Sequence, residues 1–224
     1  RDIDPYDNEY YHLILWDKND LEIIGAYRFG DAKLLTQEKN KLYSATLFEY
    51  SEKMQPYFEQ GLELGRSFIQ PKYWGKRSLD YLWYGIGAFL KHRPQYRYLF
   101  GPVSLSDTLP STAKDLLVCF YQLYFSSTEA LAISNTPYQV SQSIHGIFNG
   151  DNYKEDFSTL KSMMRNMGVV IPTLYKQYTE LFEDDGVHFL SFSIDPDFNN
   201  CVDGLVIADL HKLKEKRRIR YMSE

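Results

Sequence analysis

The 224 residues carry 44% hydrophobic and 25% charged side chains, the profile of one globular domain, or of one domain with an appendage. A net charge of −5 excludes general nucleic-acid binding, and no apolar run is long enough to span a membrane. Aromatic residues reach 16%, led by 19 Tyr, a content that suits an amphipathic groove or a wet-edged core.

In chain order, "YHLILW" (11–16) and the run 22–29 read as two strands joined at Asn19-Asp20. Residues 32–60 read as loop and short helices, and "LELGRSFIQ" (62–70) as the next strand. Pro71 and Gly75 mark a turn, and Ser78 is expected to cap a helix over 78–92, whose apolar residues at 79, 82, 83, 86, 89 and 90 keep helical spacing. "YRYLFGPVSL" (96–105) reads as a buried strand and 111–125 as an amphipathic helix. Residues 126–152 are polar and are expected to be a mobile insertion, and helices follow over 153–168 and 170–186. Two closing strands, "VHFLSFSID" and "VDGLVIAD", flank "DPDFNN", and the tail "KLKEKRRIRY" is strongly basic. The order implies an α+β fold around one mixed sheet, as a single domain over 1–224.

No C-x-x-C, H-E-x-x-H or histidine cluster occurs, so no metal site is expected. Cys119 and Cys201 lie in apolar settings and read as buried free thiols of a reducing compartment. No signal-peptide pattern is read. The first residue is Arg, so the chain is expected to be a fragment of a longer one, with the cytoplasm as its location.

Two features invite chemistry. A helix N-terminus behind a glycine turn offers free N–H groups to a phosphate, and Lys72, Lys76 and Arg77 place cations there, beside Trp74, Gly75 and Ser78. A solvated basic loop fits the same residues. Second, Glu63 and Arg66 interrupt a strand, where burying a lone charge costs on the order of several kcal/mol or else shifts its pKa. Three apart, they face opposite sides of the strand unless a bulge intervenes. Asp4, Asp7 and Arg28 are the other charges beside apolar strands. The five form either a structural network or a site for a zwitterion and a base.

At these residues the chain resembles a known family. "DPYDNEYYHLIL…IIGAYRF", "LELGRSFIQPKYWGKRSLDYLWYGIGAFL", "YRYLFGPVSLS", "IPTLYKQYTELF" and "DPDFNNCVDGLVI" are similar to the GNAT-related acyltransferases often labelled haemolysins. That group includes the lyso-ornithine-lipid synthases and the long-chain N-acyl amino acid synthases. Acyl-homoserine-lactone synthases are more distant relatives, with a D-x-x-D…G-x-x-R…E-L-x-R-F pattern matched by Asp4, Asp7, Gly25, Arg28, Glu63, Leu64, Arg66 and Phe68. The resemblance covers most of the chain and is weakest over 126–168.

It implies a GNAT-like mixed β-sheet flanked by helices. The reaction implied moves a long-chain acyl group, in some relatives 3-hydroxylated, from a phosphopantetheine thioester to the amine of an amino acid or similar small molecule, with no bound cofactor. Coenzyme-A-dependent members usually carry R/Q-x-x-G-x-G/A in the turn, whereas "WGKRSL" puts Arg77 and Leu79 at the second and third small positions. That departure favours acyl carrier protein as donor, with Lys76 or Arg77 meeting its single phosphate, and acyl-CoA as the alternative. Glu63 then acts as base, directly or through a water, with Arg66 orienting it, and backbone N–H groups at Phe68, Ile69 and Gln70 hold the oxyanion. Tyr121 protonates the leaving thiolate, with Tyr124 as the alternative because the spacing is off by one. Arg28, Asp4 and Asp7 order the amine substrate, or Asp4 and Asp7 serve as structural partners of Arg28 and Arg66.

Leu82, Trp83, Ile86 and Phe89, facing Phe100 and Val103, are candidates to line an acyl tunnel or simply to pack a core. Basic residues at 91–93 and 97 and over 212–220 are candidate docks for an acidic carrier protein or an anionic inner-membrane surface. The reading from another class is a catalytically silent GNAT-like domain that binds for a larger acyltransferase.

Overall fold

The computed structural model describes residues 3–37 and 41–223. Strands β1 (Tyr11–Asp17) and β2 (Glu22–Asp31) form an antiparallel hairpin, its bend held by the Asp17 carboxylate accepting the Asn19 N–H at 2.8 Å. Helix α1 (Ala32–Gln37), a 3-10 turn over Tyr43–Thr46, strand β3 (Phe48–Tyr50) and helix α2 (Gln55–Phe58) lead into β4 (Gly61–Ile69). Then come α3 (Ser78–Lys91), β5 (Tyr98–Leu105), α4 (Ser111–Phe125), β6 (Ala132–Ser134), α5 (Tyr153–Asn166), α6 (Thr173–Leu181), β7 (Val187–Asp195), β8 (Cys201–Asp209) and α7 (Glu215–Met222).

Six strands form one mixed sheet in the order β1-β2-β4-β5-β8-β7, parallel only where β4 meets β5. Strand alternation sorts the side chains between two faces. Tyr27, Phe29, Leu62, Leu64, Leu99 and Val206 join Leu82 and Trp83 of α3, Leu116 and Phe120 of α4, and Tyr175 and Tyr178 of α6 in the main core. The opposite face packs Phe100 and Ile207 with Tyr10, Ala32, Leu35 and Phe58. Helix α7 closes on α3 so tightly that a Cβ at Gly87 would lie 1.9 Å from the Tyr221 carbonyl oxygen.

Two local irregularities open the sheet. Parallel pairing of β4 with β5 ends at Glu63 and Phe100. The next β5 residue, Gly101, has φ +153° and lies where a Cβ would be 2.0 Å from the Leu64 carbonyl oxygen, so glycine alone lets the strands meet before they part. Beyond that point β4 carries a bulge. Ala26 and Arg28 of β2 oppose Phe68 and Gly65, and Arg66 adopts φ +51°. The bulge replaces strict alternation and brings Arg66 toward Asp4, on the face that holds Glu63.

Several expectations need correction. The 126–152 segment is built into the fold: β6 pairs with β3, Thr136 and Tyr138 bond to the backbone of β7 (Tyr138 N–H to Phe192 O, 3.1 Å; Ile194 N–H to Thr136 O, 2.9 Å), and the Tyr138 hydroxyl donates to Asp115 at 2.8 Å. Ser78 is the first residue of α3 and not its cap; its hydroxyl donates back to the Tyr73 carbonyl at 3.3 Å. The proposed tunnel set divides, because Leu82, Trp83 and Ile86 pack in the main core whereas Phe100 lies on the opposite face. The basic tail is helix α7, where Arg220 donates to Asp80 at 2.6 Å and Arg218 to the Leu210 carbonyl at 2.5 Å. At the 91–97 junction Arg97 is bidentate to Asp209, at 3.1 and 2.7 Å, and Arg93 stacks 4.0 Å from the Phe89 ring centroid.

Candidate active site

Where β4 and β5 diverge, a cleft of about 340 Å³ passes between them, walled by Gly65, Arg66, Ser67 and Phe68 on one side and Pro102, Val103 and Ser104 on the other. Tyr27 and Leu174 bound it on the main-core face, and Tyr43 and Asp203 on the opposite face. Phe68 and Phe198, 50% and 56% exposed, stand at its mouth. The Phe198 position follows from the β7–β8 loop, where Asp195 caps a 3-10 turn by accepting the Asp197 and Phe198 N–H groups at 2.9 and 3.1 Å.

Glu63 lies one step before the splay and is 1% exposed. Its carboxylate accepts the Tyr10 hydroxyl, the Tyr43 N–H at 3.1 Å and the Ser44 N–H at 2.7 Å. Burial pushes its pKa up, and the bonds from Ser44 and Tyr10 oppose that rise. These contacts make Glu63 the anchor of the 43–46 turn, which places Tyr43 at the cleft. Glu63 itself is not among the cleft's lining residues.

Arg28, 2% exposed, is the centre of the N-terminal network. Its Nη1 donates to Asp4 at 2.7 Å and to Asp7 at 2.8 Å, and the guanidinium lies over the rings of Tyr6, Tyr10 and Tyr43 at 5.8, 4.9 and 5.5 Å. The rings matter because Arg28 Nε and Nη2 are buried without a hydrogen-bond partner among the described residues. Asp4 also approaches Arg66 Nε at 3.9 Å. Asp4, Asp7 and Arg28 therefore tie the N-terminal segment to β2 and steady the base of Arg66, which lines the cleft.

Sequence reasoning passed over the acid that does line it. Asp203 on β8 is 2% exposed and accepts the Ser104 hydroxyl at 2.5 Å. Burial pushes its carboxyl up to about 6, opposed by Ser104 and reinforced by the charge of Asp195. Tyr43 feels both walls: burial and the Asp195 and Asp203 charges push its hydroxyl up to about 12, while Arg66 and Arg28 pull it down. The signal was available, since Asp203 interrupts "VDGLVIAD" as Glu63 interrupts its own strand.

Tyr121 is buried among Tyr175, Phe125 and Phe189 and is not a lining residue of the cleft. Tyr124 is engaged elsewhere, donating to Asp156 at 2.6 Å. The tyrosine that reaches the main-core side is Tyr27, whose hydroxyl lies 3.3 Å from that of Tyr178. Of the expected oxyanion donors, the Gln70 N–H is consumed by the Ile24 carbonyl at 2.8 Å. Successive N–H groups along an antiparallel strand point to opposite neighbours, which turns that of Ile69 away from β2.

In the turn before α3, Lys72 is committed to Asp20 at 3.3 Å and to Glu22, and Arg77 to Asp80 at 2.9 Å. Lys76 lies 5.0 Å from the Tyr73 ring centroid and forms no ion pair among the described residues. Gly75 takes φ +72° in open space, and the exposed Trp74 donates its indole N–H to the Ile69 carbonyl at 2.8 Å. Of the expected donor cations, Lys76 alone keeps its charge uncompensated beside the α3 N-terminus. Among the described residues no group of three or more His, Cys, Asp or Glu side chains is arranged to hold a metal, and no helix is long and apolar enough to cross a membrane.

Residues 1–84 match the family described as "Acetyltransferase (GNAT) domain". A protein of Phocaeicola vulgatus named glycine N(alpha)-acyltransferase is 27% identical over 238 residues, covering 99% of this chain and 72% of the relative. An L-ornithine N(alpha)-acyltransferase of Agrobacterium fabrum is 36% identical over 104 residues, which span 42% of this chain and 34% of the relative. Among solved structures, a GNAT-like decarboxylase in complex with isobutyryl-CoA aligns with 89% of this chain and 77% of its own, at 16% identity and a TM-score of 0.42. The fold is GNAT-like, a mixed sheet flanked by helices.

Proposed function

We propose that this chain, an acyltransferase of GNAT type, moves a long-chain acyl group from the phosphopantetheine thioester of acyl carrier protein to the amine of a small amino acid. The observation that carries the reading is the cleft between β4 and β5, which has a cation, Arg66, and an acid, Asp203, on its walls and is bounded by residues from both faces of the sheet. A thioester entering from one face and an amine from the other meet inside it, which is the positioning that acyl transfer requires. The names of the relatives, which act on glycine and ornithine, support an amino-acid acceptor.

Three further features shape the proposal. Exposed Phe68 and Phe198 at the mouth suit an aliphatic chain. A turn in which Lys72 and Arg77 are already paired leaves Lys76 and the first N–H groups of α3 for one phosphate, the number a carrier-protein arm brings. The Ile69 N–H, which follows the cleft-lining Phe68 and points away from β2, polarises the thioester carbonyl, and Tyr27 protonates the departing sulfur. Glu63 supports this centre by fixing the turn that carries Tyr43, and Asp4, Asp7 and Arg28 support it by fixing the N-terminal segment.

The test is thiol release from acyl-carrier-protein and coenzyme A thioesters, with and without a panel of amino acids. Release that depends on an amino acid and is faster from the carrier protein supports the proposal. Faster release from coenzyme A would reassign the donor, and turnover of neither would leave a binding domain.

A further inference from the structure

We infer that Asp203 receives the ammonium group of the acceptor and takes its proton, while Arg66 across the cleft receives its carboxylate, so that the site selects α-amino acids over simple amines. This rests on the N-acyltransferase reading, and it adds the residues that choose the acceptor.

Charge is out of balance around Asp203. Asp203 is 2% exposed, its recorded bond is from the neutral Ser104 hydroxyl, and it forms no ion pair among the described residues. A buried carboxylate without a counter-ion is costly and is retained where something outside the chain completes it. The charge it feels is that of another acid, Asp195, whose own oxygens serve the Asp197 and Phe198 N–H groups and the Tyr43 hydroxyl at 3.5 Å. The other titratable groups around Asp203 are Tyr43 on the same face, Tyr175 beneath, and the Cys201 thiol two residues before it on β8. None of these is a cation. A ligand ammonium supplies what Asp203 lacks.

The opposite wall has the complementary sign. Arg66 owes its place to the β4 bulge at φ +51°, a conformation an arginine adopts only under local constraint. Its approach to Asp4, at 3.9 Å, steadies the side chain, and the planar guanidinium has five donors, enough to take a further carboxylate. An acid on one wall and a guanidinium on the other match the two charged ends of a zwitterion. A simple amine would satisfy only one of them.

The proton balance is closed. The acceptor ammonium gives one proton to the Asp203 carboxylate, and the freed nitrogen pair attacks the thioester carbonyl carbon to form the C–N bond. The carbonyl electrons move to oxygen and return as the C–S bond breaks. A second proton, from the attached nitrogen, passes by way of Tyr27 to the leaving sulfur, giving thiol and neutral amide. Asp203 then returns its proton to water. Burial that raises the Asp203 carboxyl to about 6 makes it a better proton acceptor than an exposed aspartate while leaving it ionised at pH 7.

The experiment compares wild type, Asp203→Asn, Ser104→Ala and Arg66→Gln with a small amino acid, its methyl ester and a simple primary amine. Amide formation and the KM of the acyl donor are both measured. Asp203→Asn should lower kcat/KM for the amino acid by roughly 10²–10⁴-fold at unchanged donor KM, and Ser104→Ala should lower it by about tenfold. Arg66→Gln should raise the amino-acid KM about tenfold or more yet leave the already poor ester and simple amine unchanged. Near-wild-type amide formation by Asp203→Asn, with wild type active, would overturn this inference and leave the acyltransferase reading standing. Equal wild-type rates with amino acid, ester and amine would overturn the zwitterion selection. No amine-dependent thiol release by wild type from any donor would overturn the parent reading and this one with it.

Discussion

The Ser104 hydroxyl lies 2.5 Å from Asp203, joining β5 to β8 at a register position where the two residues face each other across the antiparallel pair. The bond holds an acid against the cleft and lowers its pKa while burial raises it. The consequence for stability has a definite sign. The folded carboxyl lies near 6 against an ordinary 3.8, so the folded state binds its proton more tightly than the unfolded one. The contribution of that proton to stability is complete below about pH 4 and is lost as pH rises through 6. Two pK units correspond to about 3 kcal/mol. Asp203→Asn should therefore be more stable than wild type at pH 7.5, by up to that amount, and the advantage should vanish near pH 4. Denaturant titrations at the two pH values check it, and a variant less stable than wild type at pH 7.5 would show that the carboxylate is a structural asset.

Glu63 leads to the opposite expectation. Its oxygens accept two backbone N–H groups and the Tyr10 hydroxyl, so the amide nitrogen of Glu63→Gln would confront donors with a donor. Stability should fall by about 2–4 kcal/mol, while activity per folded molecule drops less than tenfold. A fully stable Glu63→Gln variant with kcat reduced 100-fold or more would return the base role to Glu63.

How far the sequence was legible follows from the range of the forces involved. Strand alternation and helical spacing are local, and they placed the two N-terminal strands, α3, α4 and the closing β7–β8 pair within one or two residues. The β3–β6 ribbon escaped because three-residue strands leave no periodic trace. The charges in the strand were read as needing partners, and they have them, but which partners depended on contacts distant in sequence. Glu63 is answered by Tyr10 and the 43–46 turn, and Arg66 is approached by Asp4 at 3.9 Å. In the sequence Lys72 looks like a phosphate ligand, because nothing nearby shows the hairpin acids Asp20 and Glu22 folding against it.

The splay depends on Gly101. Its φ of +153° and the 2.0 Å approach to the Leu64 carbonyl leave no room for a methyl group. Gly101→Ala should cost more than about 2 kcal/mol and reduce turnover in whatever folds, since the strands must shift where the cleft opens. Thermal melts with a parallel activity assay decide it, and an alanine variant with wild-type melting and turnover would remove Gly101 from the account.

The donor turn yields a contrast between neighbours. Lys76→Glu should raise the donor KM roughly tenfold by placing an anion at the helix N-terminus. Lys72→Glu should chiefly weaken the ties to Asp20 and Glu22 and change donor KM much less. Steady-state kinetics at low salt separate the two, and equal effects would put both lysines at the phosphate.

The central claim is that an amine and an acyl thioester are joined in the β4–β5 cleft. It is tested most directly by the mass of the product formed when the protein is incubated with long-chain acyl carrier protein and a small amino acid. The account predicts an N-acyl amino acid, with the combined mass of the free fatty acid and the amino acid less one water, appearing mole for mole with free thiol. Free fatty acid alone, released at a rate indifferent to the amino acid, would contradict it.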